Sequence, residues 1–120
     1  MYDKKEIDGL YKSYAESRSE EVLEQLITAC EPIIGIVLAK YEKYNRHAED
    51  MRQEVKLRMW KNLRLRAGEN LARYYQSPTT YLYFLIRTYV RRAFRRLHNV
   101  YKEDIEVTVP HKEMAELAKD

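Results

Sequence analysis

The chain has 120 residues, of which 45% are hydrophobic and 34% charged, and its net charge is +3. That length serves one domain, whose single core stands alone with little surplus. A lone cysteine excludes a fold built on internal disulfides and makes a reducing compartment the default. Three Gly and three Pro leave few breaks in a sequence rich in Leu, Arg, Lys and Glu, which favours helices.

Charge is unevenly placed. Residues 1–31 hold four bases and eight acids, 32–78 ten bases and five acids, 79–100 five Arg and no acid, and 101–120 three bases and six acids. A basic middle between acidic ends suits a polyanion-binding core. The start of the chain lacks the apolar core of a signal peptide, and no apolar run is expected to span a membrane.

In chain order, a first helix is expected over about 3–16, with Ile7, Leu10, Tyr11 and Tyr14 at helical spacing. Ser19 is an expected N-cap for a second helix over about 20–45. Its stripe of Leu23, Leu26, Ile27, Cys30, Ile34, Val37, Leu38 and Tyr41 is the strongest in the chain and must be core. Cys30 lies on that stripe as a small buried hydrophobe. Pro32 either kinks this helix or starts its second half. A third helix, about 47–66, turns Met51, Val55, Met59 and Leu63 inward. Gly68, Asn70 and the Ser77–Pro78 step mark a loop, and Pro78 suits the first turn of a fourth helix over about 79–99. Residues 1–100 are thus expected as a compact all-α bundle of about four helices. Residues 101–120 form an acidic tail, with Ile105, Val107 and Val109 alternating as in an extended segment. A short helix is expected around Met114 and Leu117.

The fourth helix is the most informative. At steps of about 100°, Leu82, Ile86, Tyr89, Val90, Ala93 and Leu97 share one apolar face. Arg87, Arg91, Arg92, Arg95 and Arg96 occupy the other side, and Tyr81, Phe84 and Thr88 fall among them. Guanidinium groups hold phosphates, and exposed rings stack on unpaired bases. This face has no Asn or Gln to read base edges, which points away from plain duplex readout. The bland alternative is a solvated basic helix whose rings pack on a neighbour. A helix-turn-helix is disfavoured by the dozen residues that separate the third and fourth helices.

On the third helix, Asp50, Gln53, Glu54, Leu57, Trp60 and Lys61 face away from the inner stripe. An exposed Leu and Trp among polar groups make a mixed patch of the kind found at protein interfaces, unless the first helix covers them. His47, Glu49, Asp50 and Glu54 match no metal-ligand spacing, so no metal or other cofactor is expected. No nucleophile stands beside a base, and an enzyme is not expected.

Two blocks in order then resemble a known family. Glu49-Asp50-Met51-Arg52-Gln53-Glu54, with Met59-Trp60, is similar to the D-L-x-Q-E…W pattern of sigma-70 region 2.2. Thr79-Thr80-Tyr81-Leu82-Tyr83-Phe84-Leu85-Ile86-Arg87 is similar to the S-T-Y-x-x-W-W-I-R stretch of regions 2.3 and 2.4. Residues 29–44 resemble the region 2.1 helix. The short form looks most like the divergent late-transcription sigma factors of phages.

The resemblance implies a transcription initiation factor in the cytoplasm of a bacterium or a phage-infected host. Asp50, Gln53, Glu54, Lys56 and Trp60, together with the neighbouring Leu57, would dock on the β′ clamp coiled coil of core RNA polymerase. Tyr81 and Phe84 would capture flipped bases of the non-template strand at a −10-like promoter element. Arg87, Thr88, Arg91, Arg92 and Arg95 would hold that strand or the duplex upstream. Leu85 replaces the second tryptophan, and no region 4 equivalent is expected. Those tasks would fall to a coactivator, a clamp-like partner or an unusual polymerase. The alternatives are an inhibitor that occupies the polymerase site and a stand-alone single-strand binder. The first has no use for the basic aromatic face, and the second leaves Asp50, Gln53, Glu54 and Trp60 unexplained.

Overall fold

The computed structural model describes residues 2–41, 48–69 and 75–100, the last four of these as backbone. Among them the chain folds as a compact all-helical bundle of four helices, α1 Lys4–Ser17, α2 Glu20–Leu38, α3 Ala48–Arg66 and α4 Pro78–Val100. Residues 101–120, with the expected extended segment and short helix, lie outside the described residues.

Local chemistry sets the first two boundaries. The Asp3 carboxylate accepts from the N–H groups of Lys5 and Glu6 at 3.0 and 3.2 Å, capping α1. The helix stops at Arg18, whose N–H still donates to the Tyr14 carbonyl while its left-handed φ of 55° turns the chain out of the helix. Ser19 then accepts from the Val22 N–H at 3.4 Å and starts α2 as the sequence leads one to expect.

The α-helical part of α2 ends at Leu38 and gives way to a 3₁₀ turn over 39–41, and the rest of the expected 20–45 helix lies outside the described residues. α2 runs through Pro32 as one continuous helix. Pro32 and Thr28 both lie on the exposed side, so the carbonyl that loses its helical donor belongs to an exposed residue. By length and composition Glu20–Tyr41 is the one stretch among the described residues apolar enough to cross a membrane, contrary to expectation. Its place in the fold accounts for that composition. Both α2 and α4 pack against all three other helices, and Leu23, Leu26, Ile33 and Ile34 are fully buried. Each such side chain contributes about 1.5–3 kcal/mol of burial before chain entropy is subtracted.

Met51, Val55, Met59 and Leu63 of α3 are buried as expected, and so are Leu82, Ile86, Tyr89, Val90 and Ala93 of α4. Phe94 joins them, its ring 4.9 Å from that of Tyr41. The end of α3 is clamped from α1. The Arg18 guanidinium donates to the carbonyls of Leu63, Arg64 and Ala67 and also lies over the Tyr14 ring. Beyond that clamp Gly68 turns the chain at φ +92°, and its N–H donates to the Tyr11 hydroxyl.

Candidate nucleic-acid and docking surfaces

The N-terminus of α4 is fixed by α1. One carboxylate oxygen of Asp8 accepts from the Thr79 N–H at 2.9 Å and from the Thr79 hydroxyl at 2.6 Å. The hydroxyl is also 3.2 Å from the Lys4 carbonyl, and Thr79 is buried. Ser77 supports the same turn by accepting from the Thr80 N–H.

This attachment corrects one expectation. Tyr81 does not stand on the outer face of α4 but is buried, with 7% of its surface exposed. A helical wheel assumes one covered face, whereas the first half of α4 is flanked by both α1 and α3. Tyr11 of α1 meets the Tyr81 ring edge-on at 6.5 Å, Tyr75 lies 5.6 Å away, and the Tyr81 hydroxyl donates to Asn62 of α3 at 3.2 Å. Burial, then the neighbouring Tyr11 and Tyr89, push its hydroxyl pKa above the usual tyrosine value.

Phe84 does face outward, 41% exposed. Tyr75 and Tyr83 lie 5.5 and 5.9 Å from its ring, and the Arg87 guanidinium sits 5.6 Å over its face. Thr88 follows one turn later and spends its hydroxyl on the Phe84 carbonyl. Arg92 and Arg95 are exposed, and Arg87 and Arg91 half-buried, on the same helix. A shallow pocket of about 350 Å³ opens beside Phe84, lined by Tyr2, Lys4, Thr79, Thr80 and Tyr83. The partner rings Tyr75 and Tyr83 were not expected at this surface. Tyr75 comes from the connection before α4, whose path has no periodic signal in the sequence.

On α3 the expected residues separate into three groups. Leu57 is 55% exposed and Asp50 and Gln53 are exposed, with Gln53 donating to Glu49 at 3.0 Å. Trp60 is partly buried, and it shares a groove of about 350 Å³ with Glu24, Ile27, Thr28, Gln53, Lys56 and Leu57. That groove is walled by α2, not by the first helix. Lys56 is committed to Glu31 of α2 at 2.5 Å.

Glu54 departs from expectation. Its side chain is 16% exposed and turned toward α4, with Oε1 accepting from Arg96 Nε at 2.5 Å and Oε2 from Arg58 Nε at 3.4 Å. It is an internal tie between helices more than an outward docking group. A helical wheel puts Glu54 near Asp50 and Leu57 but says nothing of the fourth helix beside it.

Comparison with protein-family models, curated proteins and solved structures finds no match to this chain. Among the described residues no group of three or more His, Cys, Asp or Glu is placed to hold a metal ion. Cys30 is fully buried, and burial pushes its thiol pKa up to about 12.

Proposed function

We propose that the protein is a sigma-like initiation factor, which binds core RNA polymerase through α3 and engages an unpaired strand of a −10-like promoter element through α4. The observation that carries this is the stack on α4: an exposed Phe84 ring with the Arg87 guanidinium over its face and two further rings beside it. A ring at that exposure offers a platform to a flipped base, and the arginines that follow it along the helix offer charge to the adjoining phosphates. Tyr81 has no direct contact with the strand in this account. It supports the shelf from below, and Phe84 takes the base-stacking role.

The α3 surface supports the polymerase half of the proposal. Leu57, Trp60 and Ile27 share a groove with the polar Glu24, Thr28, Gln53 and Lys56, and Asp50 is exposed on α3. An apolar anchor within a polar rim is the usual composition of a protein-binding site. The helix that would meet polymerase and the helix that would meet DNA pack directly against each other.

The test is run-off transcription with purified core polymerase and a library of AT-rich promoter fragments. Initiation from discrete start sites only when the protein is present supports the proposal. Polymerase association without initiation would identify an inhibitor, and no association would leave only a strand-binding module.

A further inference from the structure

The Glu54–Arg96 pair joins the two proposed surfaces. Glu54 belongs to the helix that carries the docking groove, and Arg96 belongs to the basic helix. The carboxylate is largely shielded at 16% exposure, while the Arg96 side chain is 47% exposed. A guanidinium held this closely by its own carboxylate is neutralised and poorly placed to attract a phosphate. The carboxylate competes with a screened surface phosphate for this guanidinium. The second oxygen of Glu54 is engaged by Arg58. One carboxylate therefore faces two guanidiniums, and the site tolerates loss of one of them without stranding a buried anion.

Resting on the proposed strand-binding role of α4, we infer that Glu54 withholds Arg96 from nucleic acid, so that the free protein grips a strand more weakly than its arginine count implies. Release of Arg96 requires that Glu54 be neutralised or engaged by another cation.

The experiment measures the affinity of the full chain for a fluorescent single-stranded AT-rich oligonucleotide across a salt series. Glu54→Gln keeps the size of the side chain and removes its charge. It is expected to bind about three- to tenfold more tightly at low salt, with a log–log salt slope steeper by about 0.7, the value for one added phosphate contact on a single strand. Arg96→Gln alone is expected to change the unmodified chain's affinity by less than about twofold, because that guanidinium is not yet available to the strand. In Glu54→Gln/Arg96→Gln the gain is expected to vanish. A gain that persists in the double variant, whose net charge equals that of the unmodified chain, overturns the inference, since Arg96 is then not its source, and so does an unchanged Glu54→Gln.

Should Glu54→Gln fail to fold, the Arg96 Nε–H resonance of the unmodified chain decides. Slow exchange with solvent, retained when the oligonucleotide is added, supports the inference. Exchange as fast as that of an exposed arginine overturns it. If no form binds any oligonucleotide, the strand-binding role itself falls and the inference falls with it. Normal binding that is indifferent to Glu54 overturns the inference alone.

Discussion

Asp8 and Thr79 are joined by two hydrogen bonds to one carboxylate oxygen, one from the backbone N–H and one from the hydroxyl of Thr79. Through that contact α1 caps the N-terminus of α4 from a distance of 71 residues in sequence. It satisfies a helix-end donor and places negative charge at the positive end of the helix dipole. Asp8→Ala is expected to lower stability by about 1–2 kcal/mol. Chemical denaturation checks this, and the loss in Asp8→Asn is expected to be smaller because the amide oxygen still accepts a hydrogen bond.

Tyr81 gives a pH-dependent prediction. Its hydroxyl is raised above the ordinary value of 10.0 by burial first, then by Tyr11 and Tyr89. The folded chain therefore holds this proton longer than the unfolded chain does. Its contribution is complete below the ordinary tyrosine pKa and is lost as pH rises through the higher folded value. The melting temperature is expected to fall more steeply with alkali in the unmodified chain than in Tyr81→Phe. Tyr81→Ala is expected to destabilise the fold by about 3–5 kcal/mol by leaving a cavity, whereas Tyr81→Phe keeps strand binding.

Cys30 is expected to resist alkylation. A thiol raised to about 12 and fully buried offers almost no thiolate at neutral pH. Mass spectrometry after iodoacetamide treatment is expected to find it unmodified in the native chain and fully modified in denaturant.

Leu57 separates polymerase docking from folding. With 55% of its surface exposed it contributes little to the core, so Leu57→Asp is expected to change stability by less than about 0.5 kcal/mol. The same variant is expected to lose most of its retention on core polymerase in a pull-down while keeping oligonucleotide affinity. Retained polymerase binding would exclude the groove as the docking site.

Much of the bundle was legible because apolar spacing and caps are local signals. The stripes from Leu23 to Tyr41 and from Met51 to Leu63 name buried residues directly, and Ser19 marks a helix start. Residues placed by a second neighbour were not legible. Tyr81 falls on the polar side of a wheel, and only the packing of α1 and α3 around it makes it core. Glu54 reads as outward until Arg96 appears beside it, and the rings of Tyr75 and Tyr83 reach Phe84 only through the fold. Both outcomes follow from the same limit: a periodic pattern describes one helix, while each of these contacts belongs to two.

In the proposed function the Phe84–Arg87 stack holds an unpaired base. Its most direct measurement is the ratio of affinities for single-stranded and duplex AT-rich oligonucleotides at one fixed salt concentration, in the unmodified chain and in Phe84→Ala. A preference for the single strand is expected, with a loss in Phe84→Ala of about 1–3 kcal/mol confined to the single strand, as when a stacking platform is removed. Equal affinity for both forms, or an equal loss on both, would contradict it.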